Sequence, residues 1–176
     1  MNNKSELRIW AKKFRSVLDI AKISEKICNN IRATNLYKNA RSVMIFYPLK
    51  DEINLLPLLN DNKQFYLPRV NGNDLEVCPY KKGDELKLSK LKIKEPVGEA
   101  VDKSVLDLIF TPALCVDTNF YRLGYGKGFY DRFGIGIEDK MVAVIPEGLI
   151  IDKLPCDKYD IQCFGIISEK KASFRG

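Results

Sequence analysis

The sequence has 176 residues, 45% of them hydrophobic, which is enough to bury one core, and we expect residues 1–176 to form a single domain. Histidine is absent, which excludes Ser-His-Asp and Cys-His catalysis and removes the commonest transition-metal ligand. The 29 basic residues exceed the 23 acidic ones to give a charge of +6, which favours anionic partners without deciding between nucleic acid and small phosphates.

The start of the chain lacks the apolar core of a signal peptide, and no run of apolar residues is long enough to span a bilayer. We therefore expect a soluble protein of the cytoplasm. The five cysteines are an odd number without a CxxC pair, which fits neither a disulfide framework nor a zinc site. They are interpreted as reduced, mostly packed thiols.

The first predicted element is an amphipathic helix from Lys4 to about Val17, because apolar residues recur there at three- and four-residue steps. Trp10 is assigned to its core-packing face. A second helix is predicted from Ser24 to Thr34, with Ser24 as the candidate N-cap.

The next part of the chain predicts strands. A short apolar run from Ser42 to Tyr47 is typical of a strand buried on both faces, and residues 53–59 follow with a helical pattern that has Pro57 near its first turn. Further strands are predicted at Gln64 to Leu67, Leu75 to Cys78, Leu106 to Thr111, Met141 to Ile145 and Cys163 to Ile167. The lysine-rich segment 79–105 is predicted as loop and short helix. The alternation indicates an α/β fold, a single three-layer domain with a largely parallel central sheet flanked by helices.

The chemistry is predicted to lie in the glycine-rich stretch RLGYGKGFYDR, from Arg122 to Arg132. Glycines at alternate positions allow positive φ angles and bring backbone amides against a ligand, and phosphate is the ligand that such amides suit. Lys127 lies among them, and residues 128–133 predict the first turns of a helix. Arg122, Lys127 and Arg132 could clamp phosphates while Asp131 holds Mg²⁺. Neither the Walker A nor the GxGxxG spacing is present, so the residues alone leave a tight turn as the alternative.

This stretch resembles the RLGxGxGYYDR signature of the 5-formyltetrahydrofolate cyclo-ligase family. Shorter matches follow in the family's order along nearly the whole chain, namely KSELR at 4–8, DEI at 51–53, LPRV at 67–70, IKEP at 93–96, and Leu154-Pro155 before Asp160. The resemblance implies an ATP- and Mg²⁺-dependent enzyme that converts 5-formyltetrahydrofolate to 5,10-methenyltetrahydrofolate and releases ADP and phosphate. It also implies that phosphorylation of the formyl oxygen activates the formyl carbon for attack by N10 of the folate.

The resemblance also implies roles for individual residues. The catalytic residues would be Arg122, Lys127 and Tyr130, and the magnesium ligands Asp131 and Asp160. The nucleotide-binding residues would be Lys4, Arg8, Arg122, Leu123, Gly124, Tyr125, Gly126, Lys127, Gly128, Phe129 and Tyr130. The folate-binding residues would be Tyr47, Glu52, Tyr125, Gly126, Lys127, Gly128 and Phe129.

Each role has a plainer alternative in the sequence. Lys4 and Arg8 could form a solvated helix face, and Glu52 could be a surface charge. Asp131 could be an acid that stabilises a helix N-terminus or could pair with Arg122. Asp160 could be an ordinary loop carboxylate, and the aromatic residues could simply pack in the core.

The chain departs from the family's pattern at three positions. Phe129 replaces the first of two tyrosines, Tyr159 stands where histidine is frequent, and Phe120 replaces a common glycine. Two other classes of function stay open: another nucleotide- or phosphosugar-binding α/β enzyme, and an RNA-binding module prompted by the pI of about 9.0. We expect a small-molecule substrate, no nucleic-acid or membrane partner, and a monomer.

Overall fold

The computed structural model describes residues 3–176. The α-helices in this range are Lys4–Ser16 (α1), Ile20–Ala33 (α2), Asn35–Asn39 (α3) and Phe129–Phe133 (α4). The strands are Ser42–Met44 (β1), Gln64–Asn71 (β2), Asp74–Pro79 (β3), Leu86–Leu88 (β4), Lys94–Pro96 (β5), Leu108–Thr111 (β6), Cys115–Asp117 (β7), Arg122–Leu123 (β8), Met141–Val144 (β9), Ile150–Ile151 (β10), Gly165–Ile167 (β11) and Ala172–Phe174 (β12). No helix among these residues is both long enough and apolar enough to span a bilayer.

A seven-stranded sheet in the order β12-β11-β9-β6-β1-β2-β3 forms the centre of the molecule. Strands β11, β9, β6, β1 and β2 run parallel, and the antiparallel strands β12 and β3 form the two edges. Every residue of β6 and β9 is buried, as expected for strands that are covered on both faces. The prediction of a largely parallel central sheet is confirmed.

Helices cover both faces of this sheet and so produce three layers. Met44 packs with Leu7 of α1 in one apolar cluster. The neighbouring Val43 points to the opposite face and packs with Ile27 and Ile31 of α2 in a second cluster. This alternation follows from the two-residue period of a strand.

The start of the second helix differs from the prediction. Helix α2 begins at Ile20, and the side chain of Asp19 caps it by accepting a hydrogen bond from the Lys22 amide. Ser24 lies buried inside the helix, where its Oγ accepts a hydrogen bond from the Asn54 amide at 2.9 Å. The N-cap prediction for Ser24 is therefore wrong, because an acidic cap one turn earlier extends the helix.

The segment 79–105 also differs from the prediction. It contains the antiparallel hairpin β4–β5, which was not predicted, and its short helix is a 3-10 helix at Lys103–Val105. The pattern at 53–59 forms a 3-10 helix over Leu56–Asn60, and Pro57 does lie in its first turn. A small sheet in the order β10-β7-β8 was not predicted, because its strands have only two or three residues.

Two smaller predictions are confirmed. Trp10 is partly buried against the α1-side cluster, and its ring centroid lies 5.6 Å from that of Phe14. All cysteines are free, and of the five only Cys156 is exposed. Burial raises the pKa of the Cys115 thiol to about 12, which agrees with an inert packed thiol.

Candidate ligand site at the carboxyl ends of the strands

A cavity of about 710 Å³ opens at the carboxyl ends of β1, β2 and β6. Its walls come from α1, from the residues that follow β1, from β2 and β3, from the hairpin β4–β5, from the loop between β8 and α4, and from residues 157–161. Ligands of open parallel sheets characteristically bind at this edge of the sheet.

Every residue that was predicted for the site lines this cavity. They are Lys4, Arg8, Tyr47, Glu52, Arg122, Leu123, Gly124, Tyr125, Gly126, Lys127, Gly128, Phe129, Tyr130, Asp131 and Asp160. The fold thus brings together residues that are spread over most of the chain. Their individual roles stay predictions.

The loop between β8 and α4 needs glycine for two different reasons. Gly126 and Gly128 have φ angles of +105° and +69°, in the left-handed region that side chains disfavour. At Gly124 a Cβ atom would lie 2.9 Å from Nη1 of Arg122, so any side chain would displace that guanidinium. The predicted helix follows directly as α4, with Gly128 at its N-cap position.

Arg122 is the least satisfied charged group at the cavity. It is only 7% exposed, and its Nε and Nη1 atoms are buried without a hydrogen-bond partner among residues 3–176. The guanidinium carbon lies 5.0 Å from the ring centroid of Tyr130. Within the described residues it is not bonded to Asp131, so the alternative of a simple pair is not supported. Buried donors without partners are costly, and because Arg122 also lines the cavity it is a candidate group for binding an anionic ligand.

Helix α1 contributes two cations that are held by protein groups. Lys4 Nζ lies 2.6 Å from Oδ2 of Asp160 and 3.1 Å from Oδ2 of Asp157. Burial lowers the pKa of Lys4, but the bonds to these two carboxylates outweigh it, so the pKa is raised. Arg8 Nε donates to the carbonyl oxygen of Gly124 at 2.8 Å. Both side chains reach the cavity as predicted, and Arg8 supports the glycine loop directly.

The residues predicted to bind metal are two carboxylates at the same end of the cavity. Asp131 lies in the first turn of α4, and burial raises its pKa. Asp160 accepts hydrogen bonds from Lys4 and from the Asp157 amide. No group of three or more metal-ligating side chains forms within residues 3–176. Mg²⁺ often needs only one or two carboxylates because phosphates and waters complete its shell, so this pair of oxygen donors fits it.

Glu52 lines the cavity within electrostatic range of Arg122 and is 7% exposed. Its Oε1 accepts a hydrogen bond from the Leu49 amide at 2.7 Å. Burial raises the pKa of Glu52, whereas this hydrogen bond and the nearby Arg15 and Arg122 act in the opposite direction. Tyr47 also lines the cavity, with Lys94 Nζ 5.3 Å from its ring centroid.

The structure adds several residues to the wall. The hairpin β4–β5 contributes Leu91, Ile93, Lys94 and Glu95, and other positions contribute Phe46, Leu49, Pro68, Val70, Leu75, Pro112, Ile135, Asp157, Lys158, Tyr159 and Ile161. Some of these fall inside the shorter matches LPRV and IKEP. Those matches were the available signal, but they assigned no residue to the cavity. Arg132, which was predicted as a phosphate clamp, also lines the cavity, and its Nε and Nη2 donate to the carbonyl oxygen of Asn73 at 3.0 and 2.6 Å.

Fold and cavity together define an α/β protein with a ligand site at the carboxyl edge of a parallel sheet. The model of the 5-formyltetrahydrofolate cyclo-ligase family matches residues 1–169. The 5-formyltetrahydrofolate cyclo-ligase of Escherichia coli (strain K12) is 29% identical over 145 residues, covering 75% of this chain and 80% of the relative. The corresponding enzyme of Mus musculus is 25% identical over 163 residues, covering 81% and 80%.

A solved structure agrees with these relatives. The NMR structure of Aquifex aeolicus 5,10-methenyltetrahydrofolate synthetase superposes with a TM-score of 0.85 at 31% identity, over 97% of this chain and 92% of that one. The chain therefore belongs to the 5-formyltetrahydrofolate cyclo-ligase family, and the predictions of the family and of an enzyme are confirmed.

Proposed function

We propose that this enzyme converts 5-formyltetrahydrofolate to 5,10-methenyltetrahydrofolate, that it uses ATP and Mg²⁺, and that it releases ADP and phosphate. The observation that carries the nucleotide part of the proposal is the buried Arg122 beside a glycine loop, with two nitrogens that lack partners among residues 3–176. We also propose that residues 1–176 act as one domain, as a monomer in the cytoplasm.

In this proposal the triphosphate lies along residues 124–128. The backbone there is free of side chains at alternate positions, which lets its amides approach phosphate oxygens. Lys127 is exposed and Arg122 is buried, and both line the cavity, so the two cations would hold the phosphates together. Arg8 stabilises the loop through the Gly124 carbonyl.

Asp131 and Asp160 would hold Mg²⁺, which when bound neutralises phosphate oxygens and orients the transferred group. Both carboxylates line the cavity, and they are close enough that the Asp160 charge acts on Asp131. Lys4 orients Asp160 through the 2.6 Å ion pair.

The folate would lie against Tyr47 and Glu52. A buried carboxylate matches the adjacent N–H donors of a pterin ring, and the hydrogen bond to Leu49 fixes its orientation. Phe129 and Tyr130 provide apolar surface between the two substrates. The substitution of phenylalanine at 129 preserves that surface and removes only a hydroxyl.

The chemistry needs positioning and charge stabilisation more than an acid–base residue. The formyl oxygen attacks the γ-phosphorus, a new O–P bond forms, and ADP leaves as the bridging O–P bond breaks. N10 then attacks the activated carbon, and the C–O bond breaks as phosphate leaves with the proton from N10. Arg122 and Lys127 stabilise the developing phosphate charge, which accounts for catalysis without histidine.

The direct test is an assay of the purified protein with 5-formyltetrahydrofolate, Mg²⁺ and ATP. The conjugated product absorbs in the near ultraviolet, so we expect an absorbance increase that requires ATP.

The exposed Lys127 contributes little to stability, so Lys127→Ala should strongly lower turnover with an unchanged melting temperature. Full turnover in this variant would remove its assigned role. Oligonucleotide binding at moderate salt, without nucleotide affinity, would favour the RNA-binding alternative.

A further inference from the structure

Arg15 is a buried cation that the proposed chemistry does not use. It lies in the last turn of α1, is 2% exposed, and does not line the cavity. Its Nη1 donates to the carbonyl oxygen of Asp51 at 3.0 Å. Its Nη2 donates to the carbonyl oxygens of Ala113 and Leu114 at 2.6 and 3.2 Å. One guanidinium therefore connects α1, the turn after β1 and the segment after β6.

The turn that Arg15 anchors is the one that carries Glu52. The Glu52 amide donates to the Leu49 carbonyl oxygen at 3.1 Å, and the Leu49 amide donates to Oε1 of Glu52 at 2.7 Å. These two bonds close the turn on itself but do not attach it to the sheet. The bond from Arg15 to Asp51 supplies an attachment one residue away from the carboxylate.

Arg15 also acts on the charge of Glu52. Arg15 and Arg122 are the cations whose fields favour the ionised carboxylate, and the other groups facing this site are Asp51, Tyr125 and Tyr130. Burial lowers the pKa of Arg15, and its acidic neighbours oppose that change. Arginine suits the position because its planar fork reaches several carbonyl oxygens, which one ammonium group cannot do in the same geometry.

We propose that Arg15 is a positioning residue for substrate binding, which fixes the 49–52 turn so that the Glu52 carboxylate faces the folate. This inference rests on the proposed function. If Arg15 were purely structural, its substitution would destabilise the fold and weaken the binding of folate and nucleotide alike. If Arg15 is a positioning residue, its substitution lowers the affinity for the folate and leaves the nucleotide affinity unchanged.

The test compares Arg15→Lys with Arg32→Lys, an arginine of α2 that also donates to a carbonyl oxygen from outside the cavity but does not bond to the 49–52 turn. Dissociation constants for 5-formyltetrahydrofolate and for a non-hydrolysable ATP analogue are measured on the folded variants. We expect Arg15→Lys to weaken folate binding by between about tenfold and about a hundredfold, because small misplacements of a binding group have effects of this size. Nucleotide affinity should not change, and Arg32→Lys should change neither constant.

Amide hydrogen exchange on the ligand-free protein gives a readout that does not depend on turnover. We expect faster exchange at the Leu49 and Glu52 amides in Arg15→Lys and wild-type exchange there in Arg32→Lys. Wild-type exchange and wild-type folate affinity in Arg15→Lys would overturn the inference. If the wild type fails to form the methenyl product, the proposed reaction fails, while the exchange result still decides whether Arg15 fixes the turn.

Discussion

Two arginine sites on opposite faces of the sheet differ in how completely they are bonded. On the α2 side, Arg32 Nε and Tyr37 Oη both donate to Oδ2 of Asp61, at 3.0 and 2.8 Å, and Arg32 Nη2 donates to the Pro57 carbonyl oxygen. On the α1 side, Arg122 has two buried nitrogens without partners among the described residues. We call the first set, Arg32, Tyr37 and Asp61, the closed cluster.

The difference separates groups that serve the fold from groups that await a ligand. A polar group that only stabilises the fold is expected to find its partners within the protein, as in the closed cluster. Leaving buried donors of Arg122 unpaired costs stability, and an anion in the cavity would recover that cost. Arg15 Nε is likewise buried without a partner among residues 3–176, although Arg15 does not line the cavity. It is therefore the place of Arg122 in the cavity wall, together with its unpaired donors, that marks it as a group for an anionic ligand.

The largest effect on activity is expected from replacing Arg122, the cavity-lining arginine with unpaired donors within residues 3–176. Arg122→Met should lower kcat/KM by about 10²–10³-fold, the size of effect seen when a preorganised charge-stabilising donor is removed. Its melting temperature should not fall, because a buried charge that lacks partners is replaced by an apolar chain. Steady-state kinetics beside thermal melts would measure both.

The matched variant is Arg32→Met in the closed cluster. Because its ion pair with Asp61 is partly exposed, we expect a loss of about 0.5–1 kcal/mol in the free energy of unfolding and no change in turnover. A similar activity loss in both variants would contradict the distinction between the two sites.

The next largest effects are expected at the carboxylates Glu52 and Asp61, whose pKa values shift in opposite directions. Burial raises the pKa of Glu52, so its ionisation destabilises the fold as pH rises above the ordinary glutamate range. Glu52→Gln should stabilise the protein at neutral pH, with no gain at acid pH where Glu52 is protonated. It should also weaken folate binding by about tenfold to a hundredfold through loss of charged hydrogen bonds.

For Asp61 the sign is reversed. Burial alone would raise its pKa, but the bonds from Arg32 and Tyr37 outweigh it and lower the pKa. Its stabilising contribution is present above the ordinary aspartate pKa and is lost as pH falls through the lowered value. Denaturant unfolding across pH should show that Asp61→Asn costs stability at neutral pH and progressively less in acid. An equal cost at every pH would exclude this linkage.

A smaller effect is expected from the backbone of the loop. Gly126→Ala and Gly83→Ala both place a side chain at a positive φ angle, +105° and +94°, and each should cost about 1–2 kcal/mol. Gly83 lies outside the cavity, so only Gly126→Ala should also weaken nucleotide binding, by about tenfold, through a displaced amide. Calorimetry measures the nucleotide affinity of both variants. Equal affinities would show that the loop does not bind the phosphates.

The smallest effect is expected at the metal. Asp131→Asn keeps the shape of the side chain but removes one anionic oxygen ligand, so half-maximal activity should require more Mg²⁺. A magnesium titration of turnover measures this change. An unchanged titration would assign Asp131 to the stabilisation of α4 alone.

The sequence predicted the parts of the fold that follow from local patterns. The buried runs of β6 and β9 and the periodic apolar face of α1 are visible in the chain itself. The hairpin β4–β5 was missed because it is short, lysine-rich and largely exposed, so only its pairing defines it. The start of α2 was misplaced because Asp19 and Ser24 are equally good caps by residue type.

The candidate site shows the same limit. Its predicted members came from the glycine-rich loop and the shorter matches, and all of them line the cavity. Lys94 falls inside the match IKEP, which assigned it no role, and Arg15 gave no signal at all. Arg15 stands in the basic run Lys12-Lys13-Phe14-Arg15, which is typical of a solvated helix end, and only the fold reveals that its side chain is buried.

The contacts between α1 and the rest of the cavity join positions that are far apart along the chain. Arg8 bonds to Gly124 across 116 residues, and Lys4 bonds to Asp160 across 156. Contacts of such separation form slowly because a long loop must close first. After dilution from denaturant, helical circular dichroism should therefore return before nucleotide affinity does. Recovery of nucleotide affinity would mark the end of refolding. The delay between the circular dichroism signal and this recovery would measure how late α1 packs against the rest of the cavity.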